Sequence, residues 1–233
     1  MNTAIVIAAG VGRRTGQCIP KQFINVLDKP IIVYTLEKFQ NSKNIDNIEV
    51  VCLSGWEEVL KVYAMQYGIA KLKWIVSGGN SSQESIYIGL KNLGSICKKK
   101  DIVVIHDGIR PMVDEEIIDS CIDICQKYGN GITALPVYEQ VFKTYDEVSS
   151  REYIPRDRLK ILQTPQAYKY QEIRTAYDEA FAKKIGVHIS SYANTMMTEL
   201  GKTLYFSKGS TKNIKITTKD DIKIFKAMLR AEQ

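Results

Sequence analysis

MNTAIVIAAGVGRRTGQCIPKQ, residues 1–22, is the stretch whose reading decides the fold. An apolar run, Ala4 to Ala9, enters a Gly-rich turn, Gly10 to Gly12. Arg13 and Arg14 follow, and then Pro20-Lys21-Gln22. A strand feeding a bare-backbone turn lets N–H groups approach an anion closely. The flanking Arg and Lys supply charge that matches phosphate. A Walker A loop would end in Gly-Lys-Ser/Thr, and this one does not. A dinucleotide fingerprint wants a third Gly where Thr15 stands, with Gly16 one residue late. Asp28 lies near the distance of a ribose-binding acid, but it sits in a turn-like context before Lys29-Pro30. An ordinary strand-to-helix turn is the plain alternative; the cations at both ends favour a polyphosphate site.

Outward from that loop, short apolar runs alternate with helix-like stretches. Strands are predicted at 3–8, 47–53, 72–77, 102–106, 131–136 and 203–207, with a shorter one at 161–163. Helices are predicted at 30–41, 56–68, 81–94, 114–127, 170–183, 194–201 and 219–231. Strands alternating with helices of this length argue for a doubly wound, mostly parallel sheet in one α/β domain spanning 1–233. Residues 137–160 break the rhythm. They are polar and charged, and read as a long surface hairpin or as an arm docking on a partner.

Composition excludes several classes. Hydrophobic residues make up 45% and charged residues 25%, as in globular proteins. The net charge of +6 is spread rather than blocked, Lys98-Lys99-Lys100 being the longest run, and no aromatic-basic motif is present, so no nucleic-acid partner is expected. No secretory leader and no membrane span are expected. The five cysteines are odd in number and lack paired metal spacing, which suits a reduced, cytoplasmic setting. Cys121 and Cys125 read as small core residues of a helix. His106 and His188 do not complete a zinc site with that cysteine pattern.

Several residues carry chemistry. Asp107 closes the run IVVIH, and an acid at the C-terminal end of a parallel strand sits where open α/β sheets bind ligands. It is a natural Mg²⁺ ligand beside a nucleotide, or else a plain turn or cap residue. His106 reads as packed and hydrogen-bonded. Gly78-Gly79-Asn80-Ser81-Ser82 offers backbone groups and hydroxyls to a nucleobase, or is simply a turn with a Ser cap. Arg156 with Gln163-Thr164-Pro165-Gln166 reads as a buried polar turn or as an anion-binding arm. Lys215 lies in the strand-like run NIKITT; with Ile214 and Ile216 facing a core, it faces the opposite side, towards a cleft.

Together these blocks resemble the family that contains 2-C-methyl-D-erythritol 4-phosphate cytidylyltransferase and ribitol-5-phosphate cytidylyltransferase. The match runs in order over nearly the whole chain: AAGVGRR…PKQ, GGNSSQESIYIGL, VVIHDGIRP, QTPQAY and KGSTKNIKITTKDDI. The resemblance implies a Rossmann-like, GT-A-like nucleotidyltransferase fold, CTP, Mg²⁺ and a homodimer whose arm, around 137–160, completes the neighbouring site. It implies catalytic cations at Arg14, Lys21 and Lys215. It implies nucleotide contacts at Ala8, Ala9, Gly10, Gly12, Gly79, Asn80 and Ser85. On the acceptor side it implies Asp107, also the metal ligand, with Arg110, Gln140 and Arg156, the last from the partner subunit.

Two places depart from the family pattern. Glu139-Gln140 stands where Asp-Thr is usual, and Tyr192-Ala193-Asn194 where Thr-Asp-Asp or similar is usual. Both border the acceptor, so the nucleotide half looks intact and the acceptor half altered. Methylerythritol phosphate is the first expected acceptor, on the AAGVG opening. Ribitol 5-phosphate or another alditol phosphate for a surface polymer is the second. A non-catalytic nucleotide-binding module is the reading from another class, disfavoured by the cations, and a dehydrogenase is weaker still.

Overall fold

The computed structural model describes residues 1–11, 19–187 and 192–232. The chain opens with β1 (Asn2–Ala8), a small hairpin of β2 (Asn25–Val26) and β3 (Lys29–Pro30), and α1 (Ile31–Asn41). β4 (Asn47–Cys52), α2 (Glu57–Gln66), β5 (Leu72–Ser77), α3 (Ser82–Asn92), β6 (Ile102–Asp107) and α4 (Glu115–Tyr128) continue the alternation. Then come β7 (Asn130–Pro136), the hairpin β8 (Val141–Lys143) and β9 (Glu152–Ile154), and β10 (Lys160–Lys169). α5 (Tyr170–Lys183), α6 (Ala193–Glu199), β11 (Phe206–Lys208) and α7 (Lys219–Ala231) complete it.

Seven strands form one sheet in the order β11-β7-β10-β6-β1-β4-β5. β1 pairs parallel with β4 and β6, and β4 with β5. β10 runs antiparallel between β6 and β7. The central strands are buried on both faces, which is why they read as unbroken apolar runs rather than alternating ones. One face packs against α1, α2 and α4 through Leu36, Phe39, Leu60 and Ile118. The other packs against α3, α5 and α6 through Leu90, Ile173, Tyr177 and Met196. α7 seats Phe225 in a third cluster with Ile31, Ile109 and Ile216.

Local chemistry sets the helix starts. Ser81 Oγ accepts from Glu84 N at 3.0 Å, and Asp114 Oδ1 accepts from Ile117 N at 2.9 Å. Thr218 and Asp221 cap α7 reciprocally. The predicted helices match within a few residues at either end. Three strand expectations need correction. The strand expected at 203–207 is only β11, Phe206–Lys208. The piece expected at 161–163 is a ten-residue strand, broken in register between Leu162 and Gln166 where Pro165 cannot donate to a ladder. NIKITT is not a strand: its backbone is tied instead by Ile216 N to Ile109 O at 2.9 Å.

Candidate active site

Ala8, Cys52, Ser77 and Asp107 end four neighbouring parallel strands, so their loops meet along one edge of the sheet. Backbone bonds lace that edge: Leu53 N to Ala8 O at 3.2 Å, Gly78 N to Cys52 O at 2.7 Å, Gly108 N to Ile7 O at 2.9 Å. Above it lies a cleft of about 490 Å³, walled on one side by Ala9, Gly10 and Val11 and on the other by Gly78 to Ser82 and Ser85. Ala8, the last residue of β1, is buried and does not line the cleft. Gly12 and Arg14, expected in the same loop, lie outside the described residues.

Two features of this cleft have clear causes. A Cβ on Gly78 would fall 2.2 Å from Ala9 Cβ and 3.2 Å from Cys52 O, so only Gly lets the two walls approach. Gln22 is buried, and its Nε2 donates to Ala8 O at 2.7 Å and Gly10 O at 3.1 Å. That side chain shapes the opening loop, a role the sequence reading did not assign; its place in PKQ was the available signal. Lys21 begins the 3-10 turn Lys21–Phe23 and stands beside it, partly exposed.

The second wall is both a capped turn and a cleft lining. Ser85 Oγ accepts from Gly79 N at 3.1 Å and donates to Ser81 O at 2.8 Å. Glu84 Oε2 accepts from Asn80 N at 2.7 Å. The loop therefore holds its shape through its own side chains.

Next to the cleft, the structure brings together three of the expected residues from distant segments. Asp107 Oδ2 accepts from Lys215 Nζ at 2.9 Å and from Arg110 Nε at 3.2 Å. Burial pushes the Asp107 carboxyl up, but the Lys215 and Arg110 charges outweigh it and hold it below the usual carboxylate range. Arg110 Nη1 also donates to Asn213 O at 2.7 Å. His106 is buried, with Nε2 3.1 Å from Arg110 O, and burial lowers its pKa to about 4, so it is neutral and structural as expected.

The QTPQ segment is buried and polar, as in the first of its two readings, but it is the irregular middle of β10 and not a turn. Gln163 Nε2 donates to Ser210 O at 3.0 Å and Asn213 O at 3.2 Å, and Asn213 Nδ2 donates to Thr164 O at 2.8 Å. Thr164 Oγ1 accepts from Asp107 N at 3.1 Å. This bracket fixes the loop that carries Lys215. Ile216 is buried and Ile214 partly so, which turns Lys215 to the Asp107 side even without a strand.

Asp107 is the acid expected to hold a metal, and magnesium carried by a nucleotide takes only one or two carboxylates from the protein. Among the described residues no group of three His, Cys, Asp or Glu side chains could hold an ion. The expected ligand, Asp107, already has Oδ2 engaged by two cations.

Gln140 and Arg156 sit apart from this cluster on the exposed β8–β9 arm. Arg156 Nη1 donates to Tyr138 O at 2.6 Å within the arm. Tyr138, Phe142, Tyr145, Tyr153 and Ile161 are exposed along it and beside it. Cys52, Cys97, Cys121 and Cys125 are free thiols, Cys121 and Cys125 packed in the core of α4. No helix among the described residues is long and apolar enough to cross a membrane.

The family model described as 2-C-methyl-D-erythritol 4-phosphate cytidylyltransferase (IspD) matches residues 2–231. A ribitol-5-phosphate cytidylyltransferase of Lacticaseibacillus paracasei is 51% identical over 233 residues, covering 100% of both chains. A 2-C-methyl-D-erythritol 4-phosphate cytidylyltransferase of Clostridium acetobutylicum is 37% identical, covering 99% of this chain and 98% of that protein. The solved 4-diphosphocytidyl-2C-methyl-D-erythritol synthase of Anaerococcus prevotii superposes with a TM-score of 0.83 at 27% identity, over 98% of this chain and 96% of that one.

Proposed function

The chain belongs to the IspD family of cytidylyltransferases, and from that membership we propose that it transfers CMP from CTP to D-ribitol 5-phosphate and releases pyrophosphate. The observation that carries this reading is the 51% identity, end to end, to a ribitol-5-phosphate enzyme, against 37% to a methylerythritol-phosphate enzyme. It favours the second expected acceptor over the first. The physical reason is simple: the AAGVG opening that pointed to methylerythritol phosphate walls the nucleotide cleft, so it carries little information about the acceptor.

The chemistry follows from charge. A phosphate monoester has a second pKa near 6 and is largely dianionic at neutral pH. Its oxygen attacks the α-phosphorus of CTP, the new P–O bond forms, and the bond to the β-phosphate oxygen breaks with pyrophosphate as leaving group. No general base is required, which accords with a neutral, buried His106. The barrier lies in bringing one anion onto another and holding the developing charge. In this reading Arg14 and Lys21 draw the triphosphate into the cleft. Arg110 and Lys215, held at Asp107, receive the acceptor phosphate. Asp107, whose bonds to Arg110 and Lys215 both fall on Oδ2, would help to hold a Mg²⁺ accompanying CTP, and that ion would neutralise triphosphate charge.

The β8–β9 arm reaches a second subunit in this reading and supplies Gln140 and Arg156 to its acceptor side. The exposed aromatic side chains along the arm support an interface there. A cytoplasmic setting accords with CTP as donor and with the free thiols.

The test is pyrophosphate release with CTP and a panel of alditol phosphates. D-ribitol 5-phosphate should exceed methylerythritol phosphate in kcat/KM by roughly tenfold or more. The reverse order would return the first acceptor. CTP binding without pyrophosphate release from any acceptor would leave a nucleotide-binding module.

A further inference from the structure

Lys215 is drawn by two different groups. Its Nζ lies 2.9 Å from Asp107 Oδ2 and 5.3 Å from the centroid of the Tyr192 ring. Arg110 Nε donates to the same carboxylate oxygen at 3.2 Å. One carboxylate cannot neutralise two cations, and the two cations repel each other. An aromatic face carries negative quadrupole potential and attracts an ammonium within about 6 Å of its centre. Tyr192 therefore supplies the attraction that Asp107, shared with Arg110, leaves incomplete.

The ring stands on a fixed base. Tyr192 N donates to Thr195 Oγ1 at 2.7 Å at the start of α6. Tyr192 O accepts from Gln83 Nε2 at 3.2 Å. Gln83 is buried; the same Nε2 donates to Gly186 O at 2.8 Å, and its Oε1 accepts from Tyr177 OH at 2.6 Å. Gln83 lies in the first turn of α3, directly after the Gly79–Ser82 wall of the nucleotide cleft. The Tyr192 backbone is thus tied to the nucleotide half, and its ring meets the lysine of the other half. About half of Tyr192 is exposed.

We propose that Tyr192 is a positioning residue of the acceptor half: its ring face holds Lys215 Nζ at the Asp107 carboxylate, aligned for the acceptor's phosphate. This rests on the alditol-phosphate reading above. It also gives the Tyr192-Ala193-Asn194 departure from the family pattern a physical role, because the residue that differs contacts the lysine.

The test compares full-length Tyr192→Phe and Tyr192→Leu with the wild type. Phe keeps the ring, so Y192F should retain the wild-type acceptor KM and kcat. Leu keeps bulk without the quadrupole, so Y192L should raise acceptor KM by about five- to tenfold and leave CTP KM unchanged. Unchanged acceptor kinetics in Y192L, or equal damage in Y192F, would overturn the proposal. A second readout needs no turnover. After reductive methylation with carbon-13 formaldehyde, the Lys215 methyl resonance, identified by its loss in Lys215→Arg, should be shifted upfield by the ring in the wild type and return to the exposed-lysine position in Y192L. A wild-type resonance already at that position would overturn the contact. Absence of pyrophosphate release by the wild type would overturn the acceptor reading instead, with the resonance still reporting on Tyr192.

Discussion

Lys215 donates to Asp107 Oδ2 across 2.9 Å, although the two residues belong to opposite halves of the chain. Asp107 anchors both that lysine and Arg110. Asp107→Asn keeps the shape and removes the charge. Its backbone bond to Thr164 Oγ1 does not depend on the carboxylate, so the fold should survive. Turnover should fall about a hundredfold or more, the usual cost of disturbing charge stabilisation in a transition state. Steady-state kinetics beside a thermal melt checks this, and near-normal turnover would remove the carboxylate from the site.

Lys21→Ala and Arg14→Ala each remove one cation expected to meet the triphosphate. Each should lower turnover by about a hundredfold or more while circular dichroism stays native. Near-normal turnover in both variants would sink the assignment of the opening loop.

Two glycines of the same cleft should behave differently. Gly78→Ala places a Cβ against Ala9 Cβ and the Cys52 carbonyl, neither of which can swing away. It should cost about 1–3 kcal/mol in urea unfolding and weaken CTP binding. Gly10→Ala meets no atom of the described residues within 4 Å, so its unfolding midpoint should stay close to wild type. Equal stabilities of the two variants would contradict the packing described.

Stability should depend on pH through two buried groups of opposite sign. Burial lowers His106 to about 4 from 6.5, so the unfolded chain binds the extra proton between those values. That contribution is complete above about pH 6.5 and is lost as pH falls towards 4, about 3 kcal/mol at most. Burial raises Glu49 to about 8 from 4.5, only partly opposed by its bond from Asn92. Here the folded chain keeps the proton, so the contribution is complete below about pH 4.5 and declines as pH rises towards 8. Glu49→Gln should flatten the loss between about pH 4.5 and 8 in urea titrations. An unchanged slope over that range in E49Q would show that Glu49 is not the group responsible.

The arm makes a prediction that a monomer cannot satisfy. If Arg156 acts in the neighbouring subunit, Arg156→Ala and Lys215→Ala lesions complement each other. Unfolded and refolded together in equal amounts, the two inactive variants should recover about a quarter of wild-type activity, from one intact site in each mixed dimer. No recovery, with mixed dimers demonstrated by mass, would place Arg156 outside the partner's site.

Much of this was legible in the residues, and the reasons are local. Buried parallel strands show as continuous apolar runs, and the helices show as periodic stretches with caps such as Ser81 and Asp114. β10 was read too short because Gln163, Thr164 and Pro165 look like a loop; their polar groups are satisfied by Ser210, Asn213 and the Asp107 backbone, partners far off in the chain. NIKITT had the alternation of a strand without a neighbouring strand to pair with, yet Lys215 still turned to the right side. The part Gln22 plays rests on its bonds to the Ala8 and Gly10 carbonyls, which sequence spacing does not show.

The sequence by itself determined the alternation of elements, the glycine-rich end of β1 and the order of the charged blocks, because these depend on short-range backbone preference and hydrophobic patterning. Tertiary structure alone decided which cation meets Asp107, how the QTPQ segment of β10 braces the Lys215 loop, and that Tyr192 lies against that lysine. Those contacts join segments far apart in the chain. Hydrogen bonds and ion pairs of this kind depend on distance in space, which sequence spacing does not encode.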